Sequence, residues 1–172
     1  MNNNNVKFDV LVIDNFFKNP YEVRNFALQQ MYSQASPGLR TCNLTEKINY
    51  TEQLQNIIRG FYRIIRIKQT VFHVMTSSDQ QWIHTDIDAV ERTHIGLSVI
   101  IYLNPDSYIN SGTAFYRENP DASFNKIVDI GNIFNRLIIF DISICHKPNF
   151  CFGDNIQNGR LSMNILIECE TI

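Results

Sequence analysis

The chain has 172 residues, 44% of them hydrophobic, which suits one domain with a substantial core. A formal charge of −2 and a pI near 6.1 give no electrostatic reason to expect nucleic acid or an anionic membrane as a partner. No stretch reaches 18 consecutive apolar residues and the start, Met1-Asn2-Asn3-Asn4-Asn5, is polar, so the expectation is a soluble, cytoplasmic protein without a signal segment or anchor.

Val6-Lys7-Phe8-Asp9-Val10-Leu11-Val12-Ile13 reads as a strand. Asn19 then caps a helix with Pro20 at its first position, and Val23, Phe26, Ala27 and Met31 share one of its faces. A loop containing Pro37-Gly38 follows. A second helix begins near Thr51, with Leu54, Ile57, Ile58, Phe61 and Ile65 at helical spacing. From Gln69 the pattern changes to short β-rich runs separated by Asn, Asp, Gly and Pro: 70–76, 82–87, 95–103, 112–116, 126–130, 136–142, 145–149 and 160–168. Eight strands after two helices predict a mainly β fold, a double-stranded β-helix (jelly roll, cupin-like) with N-terminal helices packed on one face. The chain reads as a single domain over 1–172, with an N-terminal strand and helices in 1–68 and the jelly-roll core in 69–169.

The chemistry concentrates in a few positions. In a strand, residues two apart point to the same face, so His84 and Asp86 of Trp82-Ile83-His84-Thr85-Asp86 can aim together into a barrel. His146 follows the buried-strand pattern Arg136-Leu137-Ile138-Ile139-Phe140-Asp141-Ile142. Two imidazoles and one carboxylate are the ligand set of a facial-triad iron(II) site, which keeps positions open for a co-substrate and dioxygen. Arg160, Ser162 and Asn164 alternate with Leu161, Met163 and Ile165, so three polar groups share one face of an apolar strand. A guanidinium there offers a fixed fork for a carboxylate. Asp88 is a rival carboxylate on the face of Asp86, while His73 and His94 read as core or rim histidines. Blander readings also fit: a surface turn pair at His84 and Asp86, a solvent-facing strand end at His146, and a surface arginine at position 160. Cys42, Cys145, Cys151 and Cys169 form no Cys-x-x-Cys pair and read as structural thiols, not zinc ligands.

The order His-x-Asp, a long interval, His, then Arg-x-Ser resembles the iron(II)/2-oxoglutarate-dependent dioxygenases, in a prolyl-hydroxylase-like branch. Leu97-Ser98-Val99-Ile100-Ile101-Tyr102-Leu103-Asn104-Pro105, followed by Ser111-Gly112-Thr113-Ala114-Phe115-Tyr116, resembles the strand-loop-strand of such members. The opening Val12-Ile13-Asp14-Asn15-Phe16-Phe17, with Asn19-Pro20, is similar to a small branch of that superfamily. The resemblance implies Fe(II) held by His84, Asp86 and His146, with 2-oxoglutarate and O2 as co-substrates. It further implies that Arg160, Ser162, Tyr102 and Asn164 bind 2-oxoglutarate, and that a small molecule or protein side chain is hydroxylated with release of succinate and CO2.

Departures narrow this. Collagen-type prolyl hydroxylases usually hold the co-substrate with lysine, where this chain has Arg160. DNA-repair dealkylases carry a second arginine six residues later, where this chain has Leu166, and halogenases lack the triad carboxylate that Asp86 supplies here. Two other classes remain open: a catalytically inactive jelly-roll binding module, and a cupin-type metalloenzyme that does not use 2-oxoglutarate. Specificity is expected from the helices, the loop around Ser36-Pro37-Gly38-Leu39-Arg40, the segment from Asp86 to His94 and the loop from Asn104 to Ser111. Arg40, Arg92 and Arg117 are candidates for an acidic group, with nothing in the sequence to choose among them.

Overall fold

Alternation along the last strand divides the molecule into two interiors. In the computed structural model, which describes residues 9–89 and 94–172, Leu161, Met163, Ile165 and Ile167 enter one large apolar cluster. Arg160, Ser162 and Asn164 point to the opposite side, as period-two geometry requires.

In chain order the elements are β1 (Val10–Ile13), α1 (Pro20–Leu28), β2 (Tyr32–Gln34), β3 (Leu39–Thr41), α2 (Thr51–Ile58), β4 (Tyr62–Met75), β5 (Ile95–Tyr102), β6 (Thr113–Glu118), β7 (Phe124–Ile130), β8 (Leu137–Asp141), β9 (Cys145–Pro148) and β10 (Arg160–Thr171). They form a seven-stranded sheet, β1-β8-β5-β10-β4-β3-β2, and a three-stranded sheet, β7-β6-β9, with antiparallel pairing throughout. This is the mainly β, double-sheet jelly roll that the sequence predicts.

One face of the large sheet carries Leu97, Val99, Ile101, Leu137 and Ile139 with the odd residues of β10, packed against Ala27, Leu54 and Ile58 of the two helices. The other face looks toward the small sheet, where a smaller cluster joins Ile100, Tyr102, Phe115, Ile138 and Phe140. The helices therefore brace the outside and leave the space between the sheets for polar groups.

Asn135 helps tie the N-terminal segment to the barrel, alongside the ion pair between Arg136 and Asp14. Asn135 is buried with φ 64°. Its amide oxygen accepts from the Phe17 N–H at 2.8 Å, and its amide nitrogen donates to the Phe17 carbonyl at 2.8 Å. Asparagine tolerates the left-handed region better than most residues. Asn135→Ala is expected to lower the unfolding free energy by about 2–3 kcal/mol, because two buried backbone groups lose their partner. Chemical denaturation checks it, and a loss below about 0.5 kcal/mol would contradict it.

Several boundaries differ from the sequence expectation. The second helix stops at Ile58, and Tyr62 already opens β4, so the 68/69 boundary falls inside a strand. Gly60 weakens the helix, and the β-branched Ile64, Ile65 and Ile67 favour a pleated backbone. Gln55 holds the reversal: its amide donates to the Tyr62 carbonyl at 3.0 Å and accepts from the Ile64 N–H at 2.7 Å. Met31 lies beyond the end of α1 and is 91% exposed, so it is not part of the buried face with Val23, Phe26 and Ala27. The Pro37-Gly38 loop is the tip of a hairpin, β2–β3, too short for alternation to reveal it. Residues 6–8 of the expected first strand lie outside the described residues.

Candidate metal centre

The small sheet places His146 on β9, where Phe115 of β6 pairs with it directly. The imidazole is 4% exposed and packs edge-on against the Phe140 ring at 4.6 Å. His84 meets β9 through a single β-bridge, with His84 N–H to His146 O at 3.1 Å and the reciprocal bond at 2.9 Å. The expected strand over 82–87 is thus one bridge long. The next bonded pair would set Trp82 opposite Pro148, which has no N–H to give. At the other end Asp86 donates its N–H to Ile142 O at 2.9 Å instead of continuing along β9. The side-chain convergence inferred from strand alternation survives without the strand.

His84 Nε2 lies 4.0 Å from Asp86 Oδ1, and His146 Nε2 lies 3.7 Å from Asp86 Oδ2. One donor atom from each of the three residues falls within 4.8 Å of the others, a spacing that suits one shared cation. The outer nitrogens are engaged in matching ways. His84 Nδ1 bonds the Trp82 carbonyl at 3.1 Å, and His146 Nδ1 bonds the Ile144 carbonyl at 3.0 Å. Because a carbonyl only accepts, each Nδ1 must carry the proton, and each Nε2 lone pair is left free toward the centre. Burial holds the His146 pKa below its usual value, which also keeps the ring neutral. Asp88 sits exposed in a short 3₁₀ turn, Ile87–Ala89, and does not join the group.

The same cavity continues between the sheets to Arg160, past Ser98, Ile100, Thr113 and Asn164. Arg160 is 4% exposed. Its Nε donates to the Ser111 carbonyl at 2.7 Å, one terminal nitrogen reaches Thr113 Oγ1 at 3.4 Å, and the guanidinium lies 5.3 Å from the Tyr102 ring centre. No carboxylate among the described residues pairs with it. Neutral partners alone leave a buried cation costly, so this end of the cavity favours an anion. Asn104 fixes the approach of β10, accepting from Leu161 N–H at 2.7 Å and donating to Gly159 O at 2.9 Å.

The other expected residues are near but differently engaged. Tyr102 is fully buried, and its hydroxyl bonds Thr113 Oγ1 at 2.8 Å. Ser162 is enclosed and donates to Asn164 Oδ1 at 2.8 Å. Thr113 was not singled out from the sequence, although it is the hydroxyl that links Tyr102 to Arg160. His73, read as a core or rim histidine, lines the cavity, while His94 lies within 4.0 Å of Glu168. All four cysteines are free thiols. Arg117 is exposed on β6 away from the cavity, and Arg92 lies outside the described residues.

His73 gives the site a pH dependence. Burial, then the charge of Arg40, then that of Arg160 pull its pKa down to about 4 from 6.5, despite its bond to the Pro37 carbonyl at 2.9 Å. The folded state therefore prefers neutral His73, while the unfolded chain takes up the proton at higher pH. Its contribution is fully present above the unfolded pKa and is lost as pH falls from 6.5 toward about 4. The loss amounts to at most roughly 3 kcal/mol. Urea unfolding of wild type and His73→Gln across that window should show the steeper decline in the wild type; parallel curves would contradict it.

No protein-family model matches the chain, and no curated protein matches it in sequence. Solved structures do resemble it. HygX from Streptomyces hygroscopicus, with nickel and 2-oxoglutarate bound, has a TM-score of 0.70 at 12% identity over 93% of this chain and 82% of its own. A Pseudomonas putida prolyl-4-hydroxylase gives 0.58 at 14% identity, covering 92% and 91%. A Trichoplax adhaerens prolyl hydroxylase, in complex with a hypoxia-inducible-factor peptide, gives 0.56 at 16% identity, covering 97% and 84%. The chain has the fold of the 2-oxoglutarate–iron(II) oxygenases.

Proposed function

We propose that this protein is an iron(II)- and 2-oxoglutarate-dependent dioxygenase that hydroxylates a small molecule or a protein side chain. One observation carries the reading: a His-Asp-His cluster with two free imidazole lone pairs opens into the same cavity as a buried arginine that lacks a carboxylate partner. A metal alone needs only the first. A chelating ligand with a second, distant carboxylate needs both. The solved relatives bind a small molecule in one case, hygromycin B in HygX, and a peptide in another, so both substrate kinds stay within the proposal.

In this reading His84, Asp86 and His146 hold iron(II). Bound with 2-oxoglutarate and dioxygen, the metal supplies an oxidant strong enough to hydroxylate an unactivated C–H bond, with succinate and CO2 as co-products. The chain's own residues do the rest. Arg160 pairs with the far carboxylate, supported by Thr113 and the Tyr102 hydroxyl, and Asn164, steadied by Ser162, borders the same path. The backbone carbonyls of Trp82 and Ile144 orient the two imidazoles, and the Phe115 and Phe140 rings keep water from the back of His146. Preorganisation of this kind is the protein's share when a cofactor carries the difficult chemistry.

The test is succinate formation from 2-oxoglutarate without added substrate, a slow uncoupled reaction. Formation that needs iron(II) and stops in Asp86→Ala supports the reading. Metal binding with no 2-oxoglutarate consumption or binding would favour a cupin-type metalloenzyme, and no metal binding would favour a binding module.

A further inference from the structure

The charges lining the cavity do not balance. Its charged lining side chains are Arg40, Asp86 and Arg160. Under the reading above, iron(II) cancels the two charges of 2-oxoglutarate and Asp86 offsets Arg160. Arg40 is left over. It lies on β3, next to the sheet margin formed by β2, and is paired in register with His73 of β4. That places it two strands, about 10 Å, from β10 and the Arg160 end of the cavity.

Arg40 is half-buried, and its Nε is shielded from solvent without a hydrogen-bond partner. Such an atom forfeits its bond to water, so the guanidinium reaches the cavity through its terminal nitrogens and is already partly desolvated. The backbone around it is firmly seated. Gly38 has φ +73° and packs so closely on β4 that a Cβ there would come within 2.4 Å of the Val74 carbonyl. The Pro37 carbonyl is bonded by His73, so the hairpin tip is pinned on two sides. His73 stays neutral between the two arginines and does not compete with them for an anion.

We infer that Arg40 binds a carboxylate of the substrate, which makes the substrate class an organic acid or a peptide with a free carboxyl group. The inference rests on the oxygenase reading, because it assigns Arg160 to the co-substrate. A carboxylate fits better than a phosphate on two grounds. The excess is one positive charge, whereas a phosphate monoester brings nearly two negative charges at neutral pH. The planar guanidinium, through its two terminal nitrogens, also matches the two oxygens of a carboxylate.

The experiment uses protein loaded with zinc(II) in place of iron(II) and saturated with 2-oxoglutarate, with binding followed by NMR shifts. N-acetylglycine is the probe and the neutral N-acetylglycinamide its control. Wild type should bind the acid about tenfold more tightly than the amide, the loss expected for one charge-assisted pair. Arg40→Gln should erase that preference while changing 2-oxoglutarate affinity by less than about threefold, and Arg40→Lys should keep part of it. An acid preference absent in wild type, or retained in Arg40→Gln, overturns the inference alone. So does a collapse of 2-oxoglutarate affinity in Arg40→Gln matching that in Arg160→Gln, since Arg40 would then belong to the co-substrate site. A wild type that binds zinc(II) but no 2-oxoglutarate overturns the oxygenase reading and this inference together.

Discussion

Asp86→Ala is expected to lower iron(II) affinity by more than about 100-fold and to abolish 2-oxoglutarate turnover. Loss of a group that merely orients a metal ligand typically costs about 10- to 100-fold, and Asp86 is the only carboxylate in the cluster. Its removal also leaves two imidazoles facing each other with ring centres 4.4 Å apart and no negative charge between them. The fold should be little affected. Asp86 is half-buried, and the local chain is held by backbone bonds from His84 to His146 and from Asp86 to Ile142. His84→Ala should behave alike. His146→Ala is a poorer probe, because His146 is buried between Phe115 and Phe140 and its truncation also opens a cavity. Metal titration with thermal unfolding separates the cases: Asp86→Ala that binds iron(II) like wild type would contradict the assignment.

The second large effect is at the other end of the cavity. Arg160→Met should weaken 2-oxoglutarate binding by about 100-fold or more while leaving iron(II) affinity within about threefold. Truncating one partner of a buried charge pair costs about 3–5 kcal/mol, and every 1.4 kcal/mol is tenfold. The ligand-free protein should lose little stability. A buried guanidinium with neutral partners is already costly, and a thioether of similar length replaces it without that cost, at the expense of the bond to Ser111 O. An unfolding free energy within about 2 kcal/mol of wild type is the expected result. Arg160→Lys should fall between, since an ammonium keeps the charge but not the fork. Calorimetric titration of the metal-loaded variants decides it: unchanged 2-oxoglutarate affinity in Arg160→Met would remove Arg160 from the co-substrate site.

Much of the candidate site's placement is legible in the sequence because it follows from two short-range rules. Alternation on β10 put Arg160, Ser162 and Asn164 on one face, and the folded strand keeps that parity. The three metal-ligand candidates stand out in the sequence by their chemistry, and their donor atoms converge. Strand alternation predicts the convergence of His84 and Asp86, but only one bridge forms there. Pro148 on the neighbouring strand prevents the ladder from growing, a constraint that lies far away in sequence. For the same reason the sequence does not reveal Thr113, and it offers Arg40 only as one of three arginines for an acidic group. Thr113 matters only because β6 crosses opposite Tyr102 and Arg160. Arg40 matters only because a three-residue strand pairs with β4 and sets it beside His73. The end of α2 is not legible in the sequence because Phe61 and Ile65 continue a helical spacing by coincidence, while Gln55 and the isoleucine-rich run decide for a strand.

In the proposed function, one cavity holds iron(II) between His84, Asp86 and His146 and the far carboxylate of 2-oxoglutarate on Arg160. Anaerobic titration of the iron(II)-loaded protein with 2-oxoglutarate tests it most directly, by following the visible charge-transfer band that forms when a 2-oxo acid chelates iron(II). The account predicts a saturable band in wild type, absent in Asp86→Ala and shifted to far higher 2-oxoglutarate concentration in Arg160→Met. Iron(II) bound in wild type with no band at saturating 2-oxoglutarate would contradict it.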